Sequence, residues 1–246
     1  MALRLLSLLT LLAAWFFMSL LAGGRLLPPP QAVVSAMLEE ARSGALLINL
    51  GATLARVLAA FTLAMLAGSF LGLLMGRSRT ADSIADPWLV VLLNLPALVI
   101  IVLAYIWAGL NETAAIAAVA LNKLPTTTVI IREGARALDR NLDEMSQVYG
   151  MSRSVWLRHV AAPQLGPVIA AAGRSGLSLV WKIVLIVELL GRPNGIGFEI
   201  GNAFQLFDVT RILAYALAFV AVMLGIEYFL VQRFERYVTR WRRQPA

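Results

Sequence analysis

The sequence predicts an all-α membrane protein that crosses the bilayer with about six transmembrane helices. Of its 246 residues, 60% are hydrophobic and only 14% are charged, which is too few polar residues to cover the surface of a soluble domain. Several apolar runs reach the ~18–20 residues that a helix needs to cross the hydrocarbon core. The alternating segments of about ten residues that are typical of a transmembrane β-barrel are absent from the sequence.

The predicted elements follow the apolar runs in order. The six spans are Leu5–Ala22, Leu50–Met75, Trp88–Leu110, Thr113–Ile131, Val168–Leu190 and Ile212–Val231. The first run could also be a cleavable signal, but its length favours an uncleaved helix. Residues 32–44 are predicted to form an amphipathic segment at the outer surface. Residues 77–87 are predicted to form a short inner loop. Gly68, Gly72 and Gly76 form an i, i+4, i+8 ridge that lets another helix approach closely.

Two predicted spans contain a proline close to polar residues. Asn94 and Pro96 lie in the third span, and Asn122, Lys123 and Pro125 lie in the fourth. A proline frees a backbone carbonyl, which is tolerated in lipid only where protein or water satisfies it. We therefore expect these helices to pack inside a bundle or to line a polar path.

The net charge of +7 indicates topology rather than nucleic-acid binding. With both termini in the cytoplasm, the arginines are concentrated on the cytoplasmic side, the asymmetry that orients a membrane protein during insertion. The cytoplasmic set is Arg4, Arg77, Arg79, Arg132, Arg136, Arg140, Arg153, Arg158, Arg233, Arg236, Arg240, Arg242 and Arg243. The outer set is Arg25, Arg42, Arg192 and Arg211. We predict a multi-pass protein with both termini cytoplasmic, anionic membrane lipid as a partner and no nucleic acid.

The residue types leave little room for chemistry within the chain. There is no Cys and a single His, His159, so we expect no disulfide and no metal site. No G-x-x-x-x-G-K-[ST] loop is present to cradle a nucleotide, and we expect no cofactor and no catalytic residue. The chain is interpreted as an N-terminal helix with its outer segment (residues 1–49), a core (residues 50–235) and a basic cytoplasmic tail (residues 236–246).

A polar segment, residues 132–165, interrupts the apolar runs. Four apolar residues in it recur at helical spacing and form one stripe on a charged helix: Leu138, Leu142, Met145 and Tyr149. Gly150 can end that helix in the left-handed conformation, Ser152 can cap the next helix, and Pro163 is expected to close it. We predict a helix–turn–helix excursion outside the bilayer and refer to residues 138–159 as the elbow.

The elbow carries a specific spacing. Glu144 lies six residues before Gly150, and the run 160–163 (VAAP) begins ten residues after that glycine. This resembles the E-A-A-x3-G-x9-I-x-L-P signature of bacterial ABC importer permeases, with Met145 and Ser146 in place of the two alanines. Further matches point to the nitrate/sulfonate/taurine-type branch: Thr53, Arg56, Gly76–Arg79, Asp86-Pro87, Asn94–Ala97, Arg174, Trp181, Glu188, Gly191 and Gly195–Gly197.

The resemblance implies a type I ABC importer permease in the bacterial inner membrane, a transport subunit and not an enzyme. Two copies would pair as a homodimer, separate ATPase subunits would bind ATP and Mg²⁺ in the cytoplasm, and a periplasmic binding protein would deliver a small, anionic solute. The elbow would sit in a groove of the ATPase. Its implied contact residues are Glu144, Met145, Ser146, Tyr149, Gly150, Met151 and Ser152.

Charged residues inside the predicted spans are further functional candidates, because a charge at mid-bilayer costs on the order of 3 kcal/mol. They are Arg56, Lys123, Arg174, Lys182 and Glu188, to which Asn94 is added as a polar residue. They either line the translocation path or lock the bundle as ion pairs. Glu188 lies six residues from Lys182 and fourteen from Arg174, so its partner is expected on another helix. Cations such as Lys123 would lower the desolvation cost of an anionic solute.

Two other functions remain open on the sequence. A stand-alone ion-coupled carrier or channel would transport without ATP and would leave the elbow without a role. A membrane-embedded enzyme would need a group of catalytic side chains at one depth. The single His, the absence of Cys and the scattered carboxylates argue against that group.

Overall fold

A computed structural model of the chain describes residues 2–24 and 26–233. Every regular element in that part of the chain is helical. The helices are α1 (Ala2–Ala22), α2 (Pro30–Arg42), α3 (Ala45–Arg77), α4 (Arg79–Asn94), α5 (Ala97–Ala108), α6 (Glu112–Arg136), α7 (Arg140–Val148), α8 (Arg153–Trp156), α9 (Ala162–Gly191), α10 (Ile196–Gln205) and α11 (Val209–Ile226). The predicted basic tail, residues 236–246, lies outside the described residues, as do Arg25 and the side chain of Arg4.

The apolar helices follow the predicted spans with one break. Four continuous helical stretches are long and apolar enough to cross a membrane: Ala45–Arg77, Glu112–Arg136, Arg153–Gly191 and Val209–Phe229. Helices α4 and α5 pass the same test only as a bent pair, and α1 supplies a shorter apolar stretch, Leu6–Ala22. The six predicted runs are thus four continuous spans, one broken span and one shorter helix.

The predicted third span is wrong as a continuous helix. Helix α4 ends at Asn94, α5 restarts at Ala97, and the two axes differ by 100°. Leu95 has an extended backbone because the ring of Pro96 disfavours the helical conformation in the residue before it. The predicted inner loop over residues 77–87 is also wrong. Helix α4 already begins at Arg79, because the Ser78 hydroxyl caps it by accepting the Ala81 N–H at 3.2 Å.

The predicted helix end at Pro163 is wrong as well. Helix α8 passes through a π-helical turn, Leu157–Ala161, directly into α9. In that turn the Ala162 N–H donates to the Leu157 carbonyl, five residues back. The wider turn comes immediately before Pro163, where it eases the clash between a proline ring and the preceding turn of helix. The polar elbow therefore continues without a break into a long apolar helix.

The chain forms two compact units. Among the described residues, the first contains 2–24, 26–55 and Leu185–Leu224, and the second contains Arg56–Val184 and 225–233. In the first unit, α2 lies two residues upstream of the predicted amphipathic segment, and Gly44 follows it with φ +83°. The second unit holds α4 to α8, the elbow and most of α3 and α9.

The glycine ridge on α3 is confirmed as a close helix contact within the second unit. A Cβ atom on Gly68 would come 2.7 Å from Cβ of Thr127, and one on Gly76 would come 2.5 Å from Cβ of Ala135. The backbones of α3 and α6 thus approach to a distance that only glycine permits at these positions. The ends of α3 and α6 are consequently packed as one layer.

Candidate functional site

The elbow folds as two short helices joined by a glycine turn. Asp139 caps α7 through its side chain. Gly150 has φ +59°, and the N–H of Met151 donates to the carbonyl of Ser146 at 2.9 Å, which ends α7 in the conformation that glycine adopts without strain. The Ser152 hydroxyl then caps α8. The predicted roles of Gly150 and Ser152 in the turn are confirmed.

The two sides of α7 differ in burial. Asp143 and Ser146 are buried, whereas Leu142 and Met145 of the predicted stripe are exposed. At about 100° per residue, Met145 lies on the opposite side of the helix from Asp143. The chain therefore covers a polar side of α7 and leaves the apolar side uncovered. Ser146, predicted as a partner contact, has little surface to offer and donates its hydroxyl to the Asp143 carbonyl at 2.6 Å.

The uncovered side forms an apolar surface on the elbow. It consists of exposed side chains that we name together the elbow face: Leu142, Met145, Val148, Tyr149 and Val155. Val148 is 85% exposed and Tyr149 is 75% exposed. These residues flank the glycine turn on a segment too polar to enter the bilayer. A contiguous apolar surface in that position is typical of a protein–protein contact.

Glu144 lies beside the elbow face and is exposed. Its carboxylate accepts from Arg140 Nε at 2.9 Å, an i,i+4 pair of the kind that contributes only ~0.3–0.5 kcal/mol on a helix surface. The side chain of Glu144 stays 59% exposed in this pair. Met151 is half-buried and Ser152 is exposed on the other side of the turn.

The buried side of α7 is held by a group that the sequence reading missed, Asp143 with Arg77 and Trp156. One carboxylate oxygen of Asp143 lies 2.5 Å from Arg77 Nη1, and the other accepts from the Trp156 indole N–H at 2.8 Å. The Arg77 guanidinium also lies over the Trp156 ring, 5.1 Å from its centroid. We name these three residues the Asp143 cluster. The available signal was the helical period, which sets Asp143 opposite the apolar stripe.

An ion-pair network joins the neighbouring ends of α4 and α6. Arg132 Nη1 lies 3.2 Å from an oxygen of Asp82 and 2.5 Å from an oxygen of Asp86. Arg136 Nη2 lies 2.6 Å from the second oxygen of Asp82. Because Asp82 is shared by two arginines on successive turns of α6, the network resists rotation of α4 against α6. Sequence reading gave these arginines only an orienting role.

Two of the predicted intramembrane charges form ion pairs inside the second unit. Arg56 Nε lies 2.6 Å from Glu112 Oε1, and Nη2 donates to Oε2 at 3.2 Å. Arg174 Nε lies 3.0 Å from Glu227 Oε1. Both partners come from other helices, and neither carboxylate was among the predicted site residues. This geometry is that of a lock between helices, and a role in the translocation path stays a prediction for both arginines.

Glu188 is fully buried in the first unit and binds polar backbone and hydroxyl groups. Its Oε2 accepts from the Thr53 hydroxyl and from the Gly197 N–H, each at 2.9 Å. The Thr53 oxygen in turn accepts the Ile196 N–H at 2.9 Å. Asn49 completes the group, its Oδ1 accepting the Gly195 N–H at 2.8 Å. These contacts satisfy successive amides of the turn from α9 to α10 and fix where that turn lies.

The two lysines have different surroundings. Lys123 is 1% exposed, and its Nζ makes no hydrogen bond to any described residue. Its side chain lies across Gly176 of α9, where an added Cβ would overlap Lys123 Cε. Lys182, by contrast, is exposed. Asn94 is exposed too, and its amide donates to its own helix, to the Val90 carbonyl at 2.8 Å. Of these three, only Lys123 is a buried polar group without a partner among the described residues.

The geometry places no metal site in the described part of the chain, where His, Asp and Glu do not gather in groups of three or more. The family profile of the binding-protein-dependent transport system inner membrane component matches residues 60–244, about three-quarters of the chain. The chain belongs to this family. It is therefore a permease-type membrane component, as the elbow spacing implied.

Relatives place the permease within the family. The putative aliphatic sulfonates transport permease protein SsuC of Escherichia coli (strain K12) is 31% identical over 211 residues, which are 86% of this chain and 80% of SsuC. The taurine transport system permease protein TauC of the same strain is 28% identical over 193 residues, 78% of this chain and 70% of TauC. These matches assign the permease to the nitrate/sulfonate/taurine branch, as predicted.

A solved structure shares the fold. A chain of the MetNI methionine ABC transporter, in its inward-facing conformation, superposes with a TM-score of 0.66 at 18% identity, covering 82% of this chain and 99% of that one. The predicted type I importer permease fold is thus confirmed. The identity is too low to carry over any residue role.

Proposed function

We propose that the chain is the solute-conducting subunit of an ATP-driven importer, and that the elbow is the part that a separate ATPase binds. The elbow face carries this proposal. It exposes five apolar side chains on a polar, non-spanning segment, and the Asp143 cluster holds its reverse side to the chain's own helices. A surface anchored in this way and left uncovered fits a partner that must grip it. Glu144, Gly150, Met151 and Ser152 lie beside that face and complete the contact.

The proposed orientation puts the elbow and both termini in the cytoplasm of a bacterial inner membrane. The arginines of the elbow, the α3 end and the α4–α6 network support it, because basic residues are retained on the cytoplasmic side. A periplasmic binding protein then delivers solute to the opposite side. Two copies of the chain form the pathway as a homodimer, and ATP with Mg²⁺ is bound by the ATPase subunits alone.

The proposed solute is a small anion, and Lys123 supports this. An ammonium group that is buried in a spanning helix without a hydrogen-bonding partner is costly, and an anion that passes beside it would offset that cost. The permeases named above are, by their names, for aliphatic sulfonates and for taurine, and each of these solutes carries an anionic sulfonate group. Arg56 and Arg174 already have carboxylate partners and are assigned to the bundle.

The docking proposal is tested by two added charges on the elbow face. We expect Val148→Asp combined with Tyr149→Asp to abolish co-purification with the ATPase encoded beside the permease, because two carboxylates would have to be desolvated in the contact. The matched control is Gln147→Asp combined with Ser154→Asp, which adds the same charge at exposed elbow positions that are not part of the face, Gln147 lying about 200° around α7 from Met145. The control should retain the ATPase.

Two outcomes would contradict docking of an ATPase at the elbow. An intact complex in the elbow-face variant, with unchanged ATP-dependent uptake into cells, would reject docking at the elbow. Uptake that continues without any ATPase would favour the ion-coupled carrier instead.

A further inference from the structure

The Asp143 cluster connects three elements of the second unit at one point. Arg77 is the last residue of α3, Asp143 lies in the middle of α7, and Trp156 ends α8. Each residue contacts both of the others: the carboxylate bridges the guanidinium and the indole, and the guanidinium covers the ring. The cluster is therefore a closed triangle between a spanning helix and both arms of the elbow.

Both carboxylate oxygens of Asp143 have partners within this triangle. The residue is 8% exposed, and each carboxylate oxygen has its own partner. A partly buried carboxylate with a bidentate set of partners has a fixed direction, unlike a surface pair. A displacement of α7 must therefore either carry Arg77 with it or break the ion pair between Asp143 and Arg77.

Helix α3 can transmit such a displacement because it is continuous and packs closely against α6. It is continuous over 33 residues, up to and including Arg77. Just before Arg77, at one and five residues, the ridge glycines Gly76 and Gly72 set α3 directly against the backbone of α6. Arg132 and Arg136 of α6 then hold α4 through Asp82. The ends of α3, α6 and α4 are thus joined in series behind the cluster.

We propose that Arg77, Asp143 and Trp156 are positioning residues for transport: they carry the movement of the elbow into the spanning helices and make no contact with the ATPase themselves. This rests on the proposed function, in which the ATPase moves the elbow. The elbow face and the cluster lie on opposite sides of α7 and so have separate roles. The face decides whether the ATPase binds, and the cluster decides whether its binding moves the spans.

The absence of cysteine in the chain provides the experiment. A single Asn94→Cys substitution puts one thiol at the exposed α4–α5 break, which lies on the helix at the end of the series. The permease with its ATPase, in proteoliposomes, is treated with a maleimide, with and without ATP plus vanadate. The extent of alkylation of the permease is read by mass spectrometry.

We expect nucleotide to change the alkylation rate of the Asn94→Cys permease. Asp143→Asn, which removes the charge and keeps the shape, should lose that change while the complex with the ATPase stays intact. Arg77→Lys, which keeps the charge but cannot cover the ring and reach the carboxylate in the same way, should lose most of it. Arg79→Lys is the matched control at an exposed neighbouring arginine and should behave as the parent.

Three results would overturn the proposal. An unaltered nucleotide response in Asp143→Asn means that movement reaches α4 by another route. Loss of the ATPase from both Asp143→Asn and Arg77→Lys means that the cluster serves folding or docking. A parent protein that binds no ATPase or shows no nucleotide response contradicts the proposed function itself, and is distinguished by failing before any cluster residue is changed.

Discussion

Gly72 of α3 lies so close to Thr128 of α6 that a Cβ atom on the glycine would come 2.6 Å from the threonine carbonyl oxygen. Gly51, on the same helix, has no neighbouring atom within 4 Å of the same position. The two glycines thus separate the effect of a methyl group on helix packing from its effect on helix propensity.

The first prediction concerns this pair. Gly72→Ala should lower the free energy of unfolding by about 1–3 kcal/mol, because overpacking against backbone atoms forces α3 and α6 apart. Gly51→Ala should leave it unchanged or raise it by up to ~1 kcal/mol, since alanine favours the helix. Thermal unfolding of the detergent-solubilised proteins measures both. Equal melting temperatures for the two variants would contradict the close contact.

The second prediction concerns the turn after α9. A Cβ on Gly197 would overlap the Leu185 carbonyl oxygen and the Glu188 side chain, whereas one on Gly201 would lie 3.5 Å from the nearest atom of Leu189. Gly197→Ala should therefore lower the free energy of unfolding of the first unit by about 1–3 kcal/mol. Gly201→Ala, the control on the same helix, should be tolerated. Monodisperse yield on size-exclusion chromatography distinguishes them, and similar yields would show that the turn adapts.

The third prediction concerns the hydroxyl that Glu188 binds. Thr53→Val keeps the shape of the side chain but leaves the Ile196 N–H and one Glu188 hydrogen bond without their partner. We expect a loss of about 1–3 kcal/mol, the cost of unsatisfied buried polar groups. Thr62→Val on the exposed side of α3 should have little effect. Should both variants melt with the parent, the hydroxyl contributes nothing to stability.

The fourth prediction separates stability from transport. Lys123→Met removes a buried ammonium without a partner among the described residues, and should raise the melting temperature. The same variant should lose uptake of the solute that the binding protein delivers, because an anion passing α6 no longer meets the Lys123 ammonium group. Lys182→Met, at the exposed lysine, should leave the melting temperature unchanged. Retained uptake in Lys123→Met would remove Lys123 from the path.

Local patterns in the sequence were sufficient for the features that depend on neighbouring residues. The length of the apolar runs predicted the spans, the glycine spacing predicted the α3 ridge, and Gly150 with Ser152 predicted the turn of the elbow. Each depends on the conformational preference of the residue itself or on a helical period.

Features that depend on distant residues were not predicted. Glu112 and Glu227 are the partners of Arg56 and Arg174, but they are 56 and 53 residues away, and no periodicity relates them. The predictions at two prolines were also wrong, in opposite directions. Pro96 breaks a span that hydropathy joins, whereas Pro163 lies in a helix because a π-helical turn precedes it. Proline alone does not decide between these outcomes.

The hydrogen bond between Thr53 and Glu188 has a consequence for how the protein is made. The two residues are 135 positions apart in the sequence. Asn49, which accepts the Gly195 N–H, is 146 positions from that glycine. The ribosome therefore delivers the first half of this polar group to the membrane well before the second half exists. Until then the Thr53 hydroxyl and the Asn49 amide can donate to carbonyls of their own helix, those of Asn49 and Ala45. The first unit closes only after α9 and the start of α10 have been made.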